Sequence, residues 1–398
     1  MRQAAAVETP NVGKVVMRDV AIIGASAVQV QKRATSLREL AVLPSVTALA
    51  DAGVERVDGL VVGTMASGEF TGQHHLGPLL ADELHLTPVP AFRVEAACAS
   101  GSSAFHVAHM AVASGMYDSV LVTGVEMMSR VSGAVASRIL AGAADFEYEV
   151  EQGATFVGLN AMLMRRYLRD FGVSHEQLMP FAVNAHRNSV TSGHALMRNS
   201  ISLQAALDSR VVADPIRLYD CSPICDGAAS IVLAAGDLAE RSDDAIWIRG
   251  AGVATDTMSF HDRSDLLSLG ASRIAAERAL DRARMRVQDM DLYEIHDAFT
   301  VMTALVLESL GLYPRGEGWR AAVDDDIALD GPVPISTFGG LKARGHPVGA
   351  TGMYQLVEAT MQLRGTAGAN QVPNARRALV QNMGGTGSTI AVHILEAT

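Results

Sequence analysis

Cysteines, basic residues and long apolar runs are all scarce in this 398-residue chain. Three cysteines are too few for a dense disulfide framework, which favours a reducing compartment. Cys221 and Cys225 form an isolated C-x-x-x-C pair, and two ligands do not complete a zinc site. Lysine and arginine total 32 against 43 acidic residues, so the net charge of −11 argues against general nucleic-acid binding. No apolar run approaches the ~20 residues that span a bilayer, so no membrane span is predicted.

The start of the chain also lacks a targeting signature. Residues 1–16 have no apolar signal core, and Glu8 argues against a transit peptide. A strand-like segment begins soon after Met17, so we predict that residues 1–16 form a flexible extension. Together these absences predict a cytoplasmic protein that binds neither nucleic acid nor membrane.

The apolar residues that are present follow an alternating pattern. They make up 49% of the chain, which is ample for a core. Strand-length and helix-length segments alternate, and this order predicts an α/β fold. In the first half the predicted strands are 20–24, 57–63, 91–97, 119–124 and 228–234, and the predicted helices are 37–52 and 102–114. Between residues 126 and 209 the alternation gives way to helical patches.

The second half repeats this scheme. A predicted strand at 245–252, a helix at 269–284, a strand at 291–295 and a terminal strand at 389–395 follow in the same order. Such an internal repeat indicates two similar α/β halves. The predicted division is therefore a first half at 17–125 plus 210–244, an insertion at 126–209, and a second half at 245–398.

Cys98 stands where the strand 91–97 meets the helix 102–114. A thiol in the first turn of a helix faces free N–H groups and the positive end of the helix dipole, which favour the thiolate. A small buried apolar residue is the alternative interpretation. The matching junction of the second half carries His346, and a pseudo-two-fold axis between the halves would bring it close to Cys98. The pair predicts a thiol nucleophile with an imidazole base.

These segments resemble the thiolase family over nearly the whole chain, from Met17 to Thr398. The segment Cys98-Ala99-Ser100-Gly101 matches the family's C-x-S-G helix start, and 345–352 matches its G-H-P motif with a glycine-rich turn. The segment His296-Asp297-Ala298-Phe299 replaces the Asn-Glu-Ala-Phe of the best-known thiolases, a form similar to the archaeal and sterol-carrier-type branch. A fourth match is the stretch 218–229.

The resemblance implies a thiolase-like five-layered α/β/α/β/α fold, with 126–209 as a loop domain that covers coenzyme A. It implies that Cys98 forms an acyl-enzyme and that His346 is the general base. It also implies two oxyanion holes, one from His346 with a water at His296, the other from the backbone N–H groups of Cys98 and Gly384. His296 could instead orient its neighbour or cap the following helix.

The substrate implied by the resemblance is a coenzyme A thioester, with no bound cofactor and no metal. Ser222 matches a family serine that contacts the pantetheine arm, and Phe299 is a further predicted substrate contact. An acidic protein needs local basic residues to bind a polyphosphate, so Arg165 and Arg166 are predicted phosphate contacts. A solvated helix face is the other explanation for these arginines.

One expected family residue is missing. Many thiolases exchange the α-proton of the substrate with a cysteine in a C-x-G motif near the C-terminus. This chain has Asn382 there, and an amide cannot transfer that proton. Sterol-carrier-type members often place a cysteine at the position of Ala298. The acyl-transfer groups are therefore complete, while the α-proton acid/base stays open between His296, His346 and a water.

The activity implied by the resemblance is acetyl-CoA C-acetyltransfer, in the direction of acetoacetyl-CoA synthesis or thiolysis. Two alternatives stay open. One is a 3-ketoacyl-CoA thiolase for longer or branched substrates. The other is a coenzyme A-binding subunit of a complex with 3-hydroxy-3-methylglutaryl-CoA (HMG-CoA) synthase and a small OB-fold protein. A homodimer or homotetramer is also implied.

Overall fold

The computed structural model describes residues 17–32, 34 and 36–398. The predicted extension at residues 1–16 lies outside the described residues. The strands are β1 Val20–Ala27, β2 Gly59–Gly63, β3 Ala91–Val94, β4 Ser119–Met127, β5 Val211–Ala213, β6 Ile216–Arg217, β7 Asp226–Ala235, β8 Ile246–Thr255, β9 Leu292–Glu294, β10 Arg377–Gly384 and β11 Thr389–Ala397. The helices are α1 Leu37–Asp51, α2 Ser67–Thr71, α3 Leu76–Glu83, α4 Ser100–Ala113, α5 Gly133–Ala141, α6 Phe156–Phe171, α7 His175–Leu178, α8 Pro180–Ser189, α9 Leu203–Leu207, α10 Gly236–Ala239, α11 Gly270–Ala283, α12 Thr300–Ser309, α13 Arg320–Val323 and α14 Thr351–Leu363.

The large sheet contains two copies of one strand arrangement. Its order is β3-β2-β4-β7-β1-β8-β11-β10-β9. In the first half β3, β2 and β4 run parallel, while β4–β7 and β7–β1 are antiparallel. In the second half β9–β10 is parallel, β10–β11 and β11–β8 are antiparallel, and a parallel bridge from Tyr293 to Ile335 takes the place of β3. The predicted duplication is therefore confirmed, with β1 and β8 pairing at its centre.

Helices separate and cover the two halves of the sheet. Helices α4 and α14 contact each other, and each packs on strands of both halves. Helix α1 covers β1, β4 and β7 on one outer face, and α11 covers β8 and β11 on the other. The result is five layers in the order helix, sheet, helix, sheet, helix. Helix α14 is buried on nearly all sides, as expected of a helix in a central layer.

Small residues let the two central helices begin almost in contact. A Cβ atom on Gly101 would lie 2.8 Å from the carbonyl oxygen of Gly349, and one on Gly352 would lie 2.6 Å from the backbone nitrogen of Ser102. Both distances are too short for any side chain, so these positions need glycine. This close approach brings the Cys98 turn next to the His346 turn.

The local predictions differ from the structure mainly at element ends. The strand predicted at 91–97 stops at Val94, and the helix predicted at 102–114 begins at Ser100. Strand β10 had no predicted counterpart, although it carries Asn382. The segment 126–209 begins with the end of β4 and continues through α5 to α9. In the described part of the chain, no helix has the length and apolar character needed to cross a membrane.

Candidate active site

One cavity of 370 Å³ joins the predicted site residues. Cys98, His296, His346, Ser222 and Phe299 all line it. Most of the remaining wall is apolar and includes Leu140, Phe156, Val157, Met302, Val348 and Met383. Helices α5 and α6, both within the segment 126–209, supply part of this wall. The structure thus brings together residues that are about 250 positions apart in the sequence.

Cys98 lies in a tight turn just before α4. Ala97 has a positive φ of 50°, a left-handed conformation that costs a residue with a side chain about 1–2 kcal/mol. The Ser100 hydroxyl stabilises the turn, since it accepts the Ala96 N–H at 2.9 Å and donates to the Ala97 carbonyl at 2.6 Å. The turn leaves Cys98 5% exposed, facing the cavity.

The thiol of Cys98 is protonated in the resting site. Burial and the nearby carboxylate of Glu126 raise its pKa to about 12, although the backbone N–H groups of Gly385 and Cys98 itself lower it. The expected thiolate at the helix start is therefore wrong for the resting protein. The physical reason is that loss of hydration outweighs the N–H donors and the helix dipole. A base must take this proton during the reaction.

His346 sits in the turn before α14 as a neutral imidazole. Its Nδ1 is 2.7 Å from the hydroxyl of Thr351. Burial, with His296 and the cationic Arg344 nearby, lowers its pKa well below the ordinary value. The turn requires Gly345, which has a φ of 116° and packs against Cys225. Being uncharged, the ring can accept a proton.

His296 follows β9 and shares the wall with His346. Their ring centroids are 5.1 Å apart with the planes nearly perpendicular. Burial, followed by the positive charges of Arg344 and Lys342, lowers the pKa of His296 to about 3. Its Nδ1 is 3.0 Å from the Nδ2 atom of Asn382. The cavity therefore holds two neutral imidazoles.

Glu126 is a site residue that the motifs did not reveal. It is fully buried at the end of β4, and its carboxylate accepts the backbone N–H groups of Met65 at 2.7 Å, Ala66 at 3.2 Å and Gly349 at 3.1 Å. Burial raises its pKa to about 7. It ties the loop after β2 to the turn that follows His346. The available signal was an acidic residue inside an otherwise apolar strand.

Gly385, next to the predicted oxyanion donor Gly384, also lies close to the Cys98 thiol. The Gly385 N–H lowers the pKa of the thiol, and Gly385 lines the cavity. Gly384 allows close packing, because a Cβ there would lie 2.3 Å from the Ala96 carbonyl oxygen.

Arg165 and Arg166 are not among the residues that line the cavity. They lie on the outer face of α6, where Arg165 pairs with Asp214 and Arg166 with Asp170. This placement fits a solvated helix face, and the role of these arginines as phosphate contacts stays a prediction. Arg210, which the sequence did not single out, is the basic residue that does line the wall.

Comparison with known proteins agrees with this fold. Residues 20–237 match the family described as "Thiolase, N-terminal domain", and residues 252–397 match "Thiolase C-terminal domain-like". The chain belongs to the thiolase family. It is 42% identical over 382 residues to an acetyl-CoA acetyltransferase of Methanothermobacter thermautotrophicus, covering 95% of this chain and 99% of that protein.

Two further similarities define its branch and its fold. Bovine sterol carrier protein 2 is 30% identical over 83% of this chain and 62% of that protein. With the archaeal relative, this places the chain in the archaeal and sterol-carrier-type branch. A solved structure, the Ltp2-ChsH2(DUF35) aldolase, aligns with a TM-score of 0.83 and 24% identity, over 96% of this chain and 99% of that chain. It has the same fold.

Proposed function

We propose that this protein is a thiolase-type acyltransferase, an acetyl-CoA C-acetyltransferase that forms or cleaves acetoacetyl-CoA through an acyl-enzyme on Cys98. The observation that carries the proposal is that a protonated thiol and two neutral imidazoles line one cavity. The archaeal relative's name supports acetyl-CoA as the substrate.

The first step is acyl transfer to the thiol. His346 takes the proton of Cys98 as the sulfur attacks the thioester carbonyl, because a neutral imidazole can accept it and a protonated thiol is a poor nucleophile. The backbone N–H groups of Cys98 and Gly385 stabilise the oxyanion. The carbon–sulfur bond to coenzyme A then breaks, and its thiolate takes the proton back from His346. A covalent acyl group remains on Cys98.

The second step makes or breaks a carbon–carbon bond. In synthesis, a second acetyl-CoA loses an α-proton and its carbon attacks the acyl group, which releases the Cys98 sulfur. We assign His346 to accepting that α-proton and passing it to the released sulfur of Cys98, and His296 to stabilising the negative charge that develops on the carbonyl oxygen.

Three wall residues are suited to hold the coenzyme A arm. The backbone N–H of Ser222 donates to the Ala298 carbonyl at 3.0 Å, which fixes Ser222 next to the His296 loop. Phe299 offers an apolar face beside it. Arg210 is a further candidate for contact with the phosphates, beside the predicted Arg165 and Arg166, since it is a cation at the wall.

Mass spectrometry of the intact protein tests this proposal. Incubation with acetyl-CoA should add one acetyl group, and Cys98→Ala should abolish the addition. Cys221→Ala is the matched control, because Cys221 lines the same cavity and should leave the acetyl group in place. An unmodified wild-type protein, or an acetyl group that survives Cys98→Ala, would contradict the mechanism.

A thiolase for longer or branched 3-ketoacyl-CoA substrates is the second candidate. The apolar wall formed by Leu140, Phe156 and Met302 favours it, because an acetyl group would leave much of that surface uncovered. Comparing kcat/KM for acetoacetyl-CoA with kcat/KM for long-chain 3-ketoacyl-CoA separates the two candidates.

We also propose that two copies of the chain associate. Among the described residues, β3 ends the sheet, with Phe92 exposed on it, and Val107 and Met110 are exposed on the neighbouring α4. An unpaired strand edge beside exposed apolar side chains is typical of a surface that another chain covers. We therefore expect a homodimer or a homotetramer in the cytoplasm, and a strictly monomeric species on sizing would contradict this.

A complex with other proteins is the remaining candidate. The aldolase Ltp2 is named together with ChsH2(DUF35), so a protein of this fold has a second component. For this chain the candidates are HMG-CoA synthase and a small OB-fold protein. If the purified chain acylates Cys98 but turns over only after such a partner is added, the complex is supported.

A further inference from the structure

The residue that replaces the family's second cysteine is held by an unusual set of hydrogen bonds. Asn382 is fully buried on β10, between Ser102 of α4 and Gln355 of α14. Its Oδ1 accepts the Ser102 hydroxyl at 2.7 Å, and its Nδ2 is 2.9 Å from Gln355 Oε1 and 3.0 Å from His296 Nδ1. Three structural elements therefore meet at one amide.

The orientation of both amides follows from two backbone carbonyls. One end of the Gln355 amide faces the carbonyl oxygens of Glu294 at 3.2 Å and Gln381 at 3.0 Å. Carbonyls only accept, so that end must be the Nε2 donor, and the other end is the Oε1 acceptor. The Asn382 atom that faces Oε1 must then be its donor, Nδ2. A flipped Asn382 would place two acceptor oxygens against each other.

The same donor determines the tautomer of His296. Asn382 Nδ2 uses one hydrogen for Gln355 and the other for His296 Nδ1, so Nδ1 accepts and carries no proton. A neutral imidazole holds one proton, which must then lie on Nε2. Burial keeps His296 neutral, because it lowers its pKa to about 3.

We infer that Asn382 is a positioning residue that locks His296 with its proton on Nε2, so that His296 donates a hydrogen bond to the substrate carbonyl and His346 accepts the α-proton. The inference rests on the proposed function for its substrate, and on the amide network for the tautomer. A cysteine at position 382 could not hold His296 in this way, since it lacks a second donor. Losing the cysteine therefore moves proton transfer to His346.

The test is the protonation state of the His296 ring nitrogens in the resting protein. Nitrogen-15 NMR of histidine-labelled protein should show an unprotonated Nδ1 and a protonated Nε2, and loss of these signals in His296→Gln assigns them. A wild-type spectrum with the proton on Nδ1 would overturn the inference. No substrate is present, so the result does not depend on whether Cys98 is acylated.

Variants then distinguish the hydrogen bond from Asn382 to His296 from a general role of Asn382 in packing. Asn382→Leu keeps the branched shape of the side chain and removes the donor, so the spectrum should average between tautomers. Its kcat should fall by at least about tenfold, and at most by the ~10²–10³ that accompanies outright loss of an oxyanion donor. Ser102→Ala leaves Nδ2 in place and should keep the proton on Nε2, with a loss in kcat of only about fivefold.

Asn370→Leu is the matched control for burial. Asn370 is also buried, and it donates to the carbonyl oxygens of Asn188 at 2.6 Å and Thr337 at 2.7 Å, away from the cavity wall. It should lose stability without changing the His296 spectrum. An Asn382→Leu protein with the wild-type spectrum and wild-type kcat would refute the lock. A protein with the expected spectrum that never acylates Cys98 would refute the proposed function instead.

Discussion

The Cys98 turn and the His346 turn occupy equivalent places in the two halves, yet their surroundings carry opposite charge. The carboxylate of Glu126 lies near the thiol. The second half instead places Lys342 and Arg344 near the two imidazoles, with each cation paired to a buried acid at 3.2 and 3.0 Å respectively.

The difference shows how one duplicated fold supplies two unlike catalytic groups, a thiol and an imidazole. A negative charge beside a thiol and positive charges beside imidazoles both favour the uncharged form. The resting pair is therefore neutral thiol and neutral imidazole, and charge develops only when substrate arrives. Substitutions in the two turns test this comparison, and we expect the largest effect at Cys98.

Cys98→Ala removes the nucleophile, which lies in the first half. Turnover should fall by more than ~10⁴, because no other group can form the acyl-enzyme. Steady-state kinetics with acetoacetyl-CoA and coenzyme A measures this, with Cys221→Ala as the control that keeps most of its activity. Turnover within tenfold of wild type would place the nucleophile elsewhere.

His346→Ala removes the general base, which lies in the second half. The rate of acyl-enzyme formation should fall by about 10²–10⁴, the usual contribution of a general base. Single-turnover acetylation of Cys98 followed by mass spectrometry measures the step directly. If the variant acetylates at the wild-type rate, another group takes the thiol proton.

Glu126→Gln removes the charge that distinguishes the first turn. In the wild type, folding raises the pKa of Glu126 from an ordinary 4.5 to about 7. The folded state therefore holds the proton more tightly than the unfolded state, and the wild type loses stability as the pH rises between those two values. The full loss is on the order of 3 kcal/mol at 1.36 kcal/mol per pKa unit. Urea unfolding across this range should show a much flatter pH dependence for the variant.

The same variant tests whether the charge of Glu126 raises the pKa of the Cys98 thiol. Without the carboxylate the pKa of Cys98 should drop, so iodoacetamide should modify Cys98 faster at neutral pH. An unchanged alkylation rate together with an unchanged stability profile would mean that Glu126 is not charged near pH 7 in the wild type.

Arg210→Ala and Arg165→Ala compare a cavity cation with a surface one. Arg210→Ala should raise the KM for coenzyme A about tenfold, because it removes a cation from the wall. Arg165→Ala should change KM by less than about twofold, since an exposed ion pair contributes little. Equal changes in KM, or a larger change for Arg165→Ala, would indicate that the phosphates of coenzyme A bind at α6.

Much of the fold was predictable because it depends on local patterns. Strand and helix alternation, the repeated order of the halves and the Cys98 and His346 helix starts are all readable as apolar periodicity and glycine placement. The predicted strand at 91–97 was too long because a hydroxyl and a positive φ, rather than hydrophobicity, end β3 before Cys98. Strand β10 was missed because its polar residues, Gln381 and Asn382, are buried against partners far away in the sequence.

Sequence alone was enough to predict the α/β class, the duplication and the side chains at the starts of the two central helices. Their protonation, the hydrogen bonds of Asn382 and the absence of Arg165 and Arg166 from the cavity wall became visible only in the tertiary structure. The reason is physical. Periodicity is a property of neighbouring residues, whereas a pKa or a hydrogen-bond donor depends on burial and on partners that folding alone brings within reach.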